Sequence, residues 1–394
     1  MKKARPLVVL LLAAATAAGA EKPKVTYDEA RRRIPVRSLP AFWIGDVADL
    51  PGRWAKLTRA EVRRIAVSPG GRPLHLIAYG QKERCPRHAN FNSAIGGRDP
   101  TAYMDKASRQ KPVVYFVGPV HGHEVEGLTG LVSLIQVMET GRDLRGRAQP
   151  ELRRLGDRCR LLIVPAGNPD GIARFEPRAI HGMPLDVFQF WAMGTWSDDT
   201  VAMWPDSKRQ HPRTGPRVGY LGCYFNDAGI NPMHDEFFVP MGPEAPAILK
   251  VAMQEGPDLA VSLHSHGSAP ALLRPAYVPL EVQDEVRRLA LRCYGLLEKR
   301  GLPRGGAFRP APEQGNPPAP FNLVSALYHI SGATAFTFEC PHGVAGEKYS
   351  QVTFEQILDI QLTLYEAMLQ HAVEEHSRLQ AANGLRGAGS PTVR

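Results

Sequence analysis

Short apolar runs alternate with stretches of helical spacing along most of this chain. "KPVVYFVGPV" (111–120) is a β-branched and aromatic run bounded by Pro and Gly, the pattern of a strand buried on both faces. From Gly127 onward, Leu128, Leu131, Leu134, Ile135 and Met138 return to one side of a helix. "RCRLLIVPAGNPDG" (158–171) predicts another buried strand ending in a turn, "PDLAVSLHSHGSAP" (257–270) a third, and "ATAFTFECPHG" (333–343) a fourth. Between them "EAPAILKVAMQEG" and "LEVQDEVRRLALRCYGLLEKRG" predict helices, the second ended by Gly301, and "NLVSALYHISG" a short helix. "LTRAEVRRIAVSPGGRPLHLIAYGQ" (57–81) predicts helix, turn and strand, with Pro69-Gly70-Gly71 as the punctuation. A last helix covers most of 353–381.

Other segments break this rhythm. Residues 21–56 predict an irregular leader with one short helix, and 175–225, rich in Pro, Trp, Gly and His, a long insertion over the surface that rims a cleft. The Pro-rich stretch at 309–320 is expected to be a loop inside the domain, and 383–394 a disordered tail. Strands alternating with helices predict an α/β fold with a mainly parallel or mixed sheet covered on both faces. One catalytic-sized domain over 57–382 accounts for the pattern, without internal repeats.

Composition settles the broad class. "MKKARPLVVLLLAAATAAGA" has a cationic start, an apolar run too short to anchor in a bilayer and a small-residue end at Ala18-Gly19-Ala20, so it predicts a signal peptide cut after Ala20 and a periplasmic or secreted protein. That cut leaves 394 − 20 = 374 residues, with no later run apolar enough for a membrane anchor. With 43% hydrophobic and 22% charged residues, the chain can bury a large core. The formal charge of +9 falls to +6 without Lys2, Lys3 and Arg5, and the remaining arginines are scattered, which argues against a nucleic-acid groove. The five cysteines form no C-x-x-C pair, and their odd number leaves at least one without an intramolecular partner.

Four predicted strands end in residues with chemistry: His121-Gly-His-Glu124, Asn168-Pro-Asp-Gly171, His264-Ser-His266 and Glu339. In open α/β sheets such ends converge on one crevice. Two His and one Glu suit a catalytic zinc site, which keeps a fourth position open. A carboxylate outside the ligand set then serves as general base toward water. "HGHEVEG" holds two overlapping His-x-x-Glu frames, His121/Glu124 and His123/Glu126, and nothing within it chooses between them. A Glu at position 339, in the apolar text "ATAFTFEC", needs a partner or a function if buried.

These segments resemble the M14-type zinc carboxypeptidases. "SPGGRPLHLIAYG" resembles the family's opening S-x-x-G-R strand, and "GPVHGHEVEG" its G-x-H-G-x-E-x-x-G metal motif. "VPAGNPDG" resembles its P-x-x-N-P-D-G turn, and "SLHSHG" followed by "FTFEC" its last ligand strand and base strand. The resemblance implies a single α/β domain with a mixed, mainly parallel sheet of eight strands. It also implies one Zn2+ held by His121, Glu124 and His264, with Glu339 as general base, leaving His123 and His266 on the cleft wall. The implied activity is that of a hydrolase, a metalloprotease acting as a carboxypeptidase on peptide substrates, with a monomer expected. The alternatives are an exported amidase or peptidase acting on peptidoglycan-type envelope peptides, and a non-catalytic binding protein on the same scaffold.

One departure stands out. Where the family carries G-V-D-L-N-R-D-F, whose Asn-Arg pair clamps the substrate carboxylate, this chain reads "AGINPMHDEFF". Aligned on glycine, Asn231 stands for the Asp that orients a ligand His and Met233-His234 for the Asn-Arg pair, which makes His234 a pH-dependent substitute; aligned instead with Asn231 on the family Asn and Pro232 on its Arg, the guanidinium fork is lost just as surely. Arg174, Arg178, Arg213, Arg217 and Arg274 are the candidates to supply the cation, with Arg174 and Arg217 nearest the matched segments. The family's assisting tyrosine has no clear counterpart, since Tyr328 lies in a segment that predicts helix packing.

Overall fold

The computed structural model describes residues 22–306 and 318–388; the expected signal peptide, most of the Pro-rich loop and the last six residues lie outside this range. Two short helices open it, α1 (Tyr27–Arg32) and α2 (Leu50–Trp54), followed by strands β1 (Glu61–Val67) and β2 (Pro73–Tyr79). Then come α3 (Phe91–Gly96), β3 (Val113–Val117), α4 (Val125–Thr140), α5 (Pro150–Asp157), β4 (Arg160–Val164), α6 (Pro169–Arg174) and α7 (Leu185–Met193). The chain continues through α8 (Glu244–Glu255), β5 (Leu259–His266), β6 (Ala271–Leu273), α9 (Leu280–Lys299), α10 (Leu323–Ser331), β7 (Thr334–Pro341) and α11 (Phe354–Ala388).

Seven strands among the described residues form one mixed sheet in the order β1-β2-β4-β3-β5-β7-β6, one fewer than the eight expected. The inner strands β4, β3, β5 and β7 are parallel, while β1, β2 and β6 join antiparallel at the two edges. Every residue of β3 and β4 is buried, as two-sided coverage requires. On one face Val114 and Phe116 pack with α4, α9 and α11; on the other Val113, Tyr115 and Val117 meet α8 and α10. Gly141 and Gly332 end α4 and α10 with left-handed φ values of 76° and 64°.

Four expectations change. Residues 61–67 form an edge strand rather than a helix: β1 pairs antiparallel with β2 through a turn in which Ser68 N donates to Arg72 O at 2.9 Å. Cross-strand pairing overrides the helical spacing, and Arg63 and Arg64 place charge on the exposed edge. The 21–56 leader is not peripheral, since Val25, Ala30, Trp43, Ile44, Leu50 and Trp54 all enter the main core. Thr129 on α4 exchanges hydrogen bonds of 3.1 Å with both Ile44 N and Ile44 O, tying the leader to the helix that follows the His-Glu motif. The 175–225 stretch is likewise core material: it contains α7 and buries Phe175, Ile180, Phe190 and Trp191 completely. At the other end α11 continues to Ala388, into the stretch expected as a tail. None of the five cysteines is bonded to another.

A buried ionic knot holds the Ser68–Arg72 turn to α6. Asp170 accepts from Ser68 Oγ at 2.5 Å, Gly70 N at 3.0 Å, Arg72 Nη1 at 2.9 Å and Asp227 N at 3.1 Å. Two motifs that looked chemical, S-x-x-G-R and N-P-D-G, are therefore a structural pair. Asp170→Ala leaves those donors unsatisfied and should lower unfolding stability by about 3 kcal/mol in urea denaturation, whereas a surface Asp157→Ala should change it by less than about 0.5 kcal/mol.

Candidate metal centre

The crevice lies at the carboxyl ends of β3 and β5, where the chain turns from sheet to loop. Gly122 lets the loop after β3 run against α6: a Cβ there would sit 2.0 Å from Gly171 C, and one on Gly171 would sit 2.3 Å from Cys223 O. The motif glycines are thus required by backbone contact. Gly122 N also donates to Cys223 O at 2.7 Å, so three chain segments are locked together beneath His121.

His121, Glu124 and His264, all buried, bring their ligating atoms together. His121 Nδ1 lies 3.0 Å from Glu124 Oε1, His264 Nδ1 lies 2.9 Å from Glu124 Oε2, and the two Nδ1 atoms are 3.1 Å apart. Ser262 Oγ, two residues earlier on β5, holds the other ring nitrogen of His264 at 3.0 Å. Burial pushes both imidazoles below their ordinary pKa, so they present lone pairs, and burial together with Glu339 pushes the Glu124 carboxyl well up. Each neutral imidazole has one nitrogen free to offer a lone pair, and with the Glu124 oxygens these atoms surround one point, as ligands of a cation would. The donor set, two His and one Glu, fits zinc with an open fourth position.

Of the alternative frame, His123 Nε2 comes within 3.8 Å of Glu124 Oε1 but is outside the group whose ligating atoms all converge. His123 stacks on Tyr224 with centroids 5.8 Å apart, and burial holds its pKa at about 3. Glu126 is fully buried within reach of Ser265 and Cys340, where burial pushes its carboxyl up to about 8. His266 donates to or accepts from nothing in the centre and pairs instead with Ala269 O at 2.9 Å.

Glu339 is the register partner of His264, β7 against β5, so the two side chains leave the same face of the sheet on adjacent strands. It is half-buried rather than enclosed, and its charge acts on Glu124, His264, Tyr224 and Lys208.

The expected substrate-binding residues divide. His234 is on the crevice wall, but burial and Lys208 hold its pKa at about 3, so it is a neutral acceptor and not the pH-dependent cation expected. Asn231 is not seen to orient a ligand His: its Oδ1 accepts from Met233 N at 2.9 Å, and its side chain lies near enough to Tyr224 to pull that phenol's pKa down against burial. Arg174 and Arg217 do not serve the crevice. Arg174 holds Gly222 O at 2.8 Å, Phe225 O at 3.0 Å and the Asp227 carboxylate, while Arg217 is exposed. Arg178 pairs with Asp46 at 2.8 Å, and Arg213 is buried against Thr195 O at 2.8 Å. Tyr328 packs edge-on to Phe91, as expected of a helix residue.

Two residues carried no signal in the sequence. Tyr224 stacks face to face on His121 with centroids 3.6 Å apart. Lys208 Nζ lies 3.0 Å from His234 Nε2 and, among the described residues, has no carboxylate within ion-pairing distance. Burial lowers its pKa to about 8, against the pull of Glu124 and Glu339. Both sit in or at the end of the aperiodic 175–225 stretch, where no spacing marks a site.

The geometry is that of a metal-dependent hydrolase, and comparison with known proteins agrees. The zinc carboxypeptidase profile, Peptidase M14, matches residues 55–275, more than half of the chain, and the protein belongs to that family. A search of curated proteins finds no match. Among solved structures, a Burkholderia mallei protein provisionally described as a carboxypeptidase aligns with TM-score 0.50 and 14% identity, covering 82% of this chain and 66% of that one. A metallo-carboxypeptidase from Burkholderia cenocepacia aligns with TM-score 0.49 and 16% identity, covering 82% and 67%. Carboxypeptidase A from Helicoverpa armigera aligns with TM-score 0.44 and 14% identity, covering 94% and 78%. At these identities the likeness is one of fold, and zinc is the metal the family implies.

Saturating zinc should raise the melting midpoint of chelator-treated protein by roughly 5 °C, a shift that His121→Ala and Glu124→Ala should abolish. Glu126→Gln, which copies a carboxyl pushed up to about 8, should keep it. A shift lost in Glu126→Gln and kept in Glu124→Ala would reverse the choice of frame.

Proposed function

We propose that this protein is a zinc metallocarboxypeptidase that hydrolyses peptide bonds, most simply releasing a C-terminal residue. The observation that carries the reading is the buried group His121, Glu124 and His264 with Glu339 beside it in register on the next strand. Zinc bound there supplies a Lewis acid that polarises a carbonyl and acidifies water. The chain's residues do the rest. His121 and His264 keep unprotonated nitrogens turned inward, and Tyr224 fixes the plane of His121 by stacking. Ser262 fixes the rotation of His264. Glu339, half-buried and so reachable by water, accepts a proton from the attacking water and returns it to the leaving amine.

The missing guanidinium fork supports a second reading, an amidase or peptidase acting on peptidoglycan-type envelope peptides, in keeping with export directed by residues 1–20. Incubating the zinc-loaded protein with ordinary peptides and with muropeptides separates the two. Free amino acids released from ordinary peptides favour the first reading; activity confined to muropeptides favours the second. A chain that binds such peptides and hydrolyses none is a binding protein on this scaffold.

Glu339→Gln should lower kcat by about 10²- to 10⁴-fold while zinc content stays that of the unsubstituted protein. Equal activity in the two proteins would overturn the assignment of the base.

A further inference from the structure

An ammonium that pairs with no carboxylate among the described residues, beside a group of buried ligands, needs a physical reason. Lys208 lies on a short 3₁₀ turn, Asp206–Arg209, whose neighbours Asp206 and Arg209 pair with each other at 3.2 Å on the outside. Lys208 instead points inward, toward Tyr224, whose ring centroid is 6.0 Å from Nζ, and toward Trp204 at 5.6 Å. Its one hydrogen-bond partner among the described residues is His234 Nε2 at 3.0 Å. His234 stays neutral and so accepts here, which fixes the direction of one ammonium N–H and leaves two others without a partner among the described residues. The charge of Lys208 is felt at His121, His264, Glu124 and Glu339, so it lies near enough to the candidate metal group to act on what binds there.

A half-buried ammonium of this kind is costly to desolvate unless an anion completes it. None of the carboxylates among the described residues pairs with it directly: Glu124 belongs to the metal group and Glu339 is in register with His264. We infer that Lys208, held in direction by His234, is the binding residue for the free carboxylate of the substrate. The inference rests on the carboxypeptidase reading for the identity of the anion. A single ammonium gives a point contact rather than a two-pronged one, so it selects for charge and tolerates more than one carboxylate orientation. Lys208 and His234 come from segments that are 26 residues apart, and neither carries a pattern that would announce the pairing.

The test compares an N-acyl dipeptide bearing a free carboxylate with its C-terminal amide, using zinc-loaded protein, Lys208→Met and Lys208→Arg. The free acid should lose affinity in Lys208→Met, with KM rising on the order of 10- to 100-fold and kcat changing little, while turnover of the amide stays as it was. Lys208→Arg should retain most of the preference for the acid. An equal fall in kcat for acid and amide would place Lys208 at the reacting carbonyl and overturn the inference, as would unchanged kinetics. Calorimetric binding of an N-acyl amino acid and its amide to the zinc-loaded Glu339→Gln protein keeps the two questions apart. Preference for the acid that vanishes with Lys208→Met sustains the inference even where no peptide is cleaved, and an absent or Lys208-independent preference overturns it even where peptides are cleaved.

Discussion

Two imidazole nitrogens face each other at 3.1 Å with the oxygens of one buried carboxyl equally near, and the surrounding structure exists to hold them there. Such a cluster opposes folding when empty, because the carboxyl is stripped of water. A divalent cation turns that cost into an attraction. The fold therefore has to impose the cluster from outside, with contacts that do not depend on the cluster itself.

It does so in layers. The parallel strands β3 and β5 deliver His121 and His264 to the same edge of the sheet, and β7 adds Glu339 in register with His264. Beneath them, Gly122 and Gly171 let the loop after β3 press against α6 at a distance no side chain allows. Asp170 then binds that helix to the hairpin turn at Ser68–Arg72 and to Asp227. Around the cluster, Tyr224 stacks on His121, and Asn231 lies close enough to Tyr224 to influence its phenol. On the side of Tyr224 away from the sheet, Lys208 is held by His234 and feels Glu124 and Glu339 only at a distance.

What was legible in the sequence follows the same division. The buried strands β3, β4, β5 and β7 could be read because a continuous apolar run that ends in His, Asn or Glu is the mark of a covered strand delivering a polar group to its carboxyl end. The three candidate ligands and Glu339 followed from those strand ends together with the family resemblance. β1 could not be read, since its residues space like a helix and only pairing with β2 makes them a strand. The same holds for the leader and for 175–225: their buried residues are irregularly spaced because they fill gaps between elements, and no period reports on such packing. Lys208 and Tyr224 sit in that irregular region. An inward-pointing lysine looks like any surface lysine until its neighbours are known, and the arginines that seemed better placed turned out to be holding loops and carboxylates elsewhere.

The central claim is that a metal is held by His121, Glu124 and His264 through imidazole Nδ1 atoms and a carboxylate. X-ray absorption on the zinc-loaded protein tests it most directly. The expected result is two imidazole nitrogens and carboxylate oxygen at about 2.0–2.2 Å from zinc, with one imidazole contribution lost in His264→Ala. A zinc shell unchanged by that substitution, or one containing sulfur from a cysteine, would contradict it.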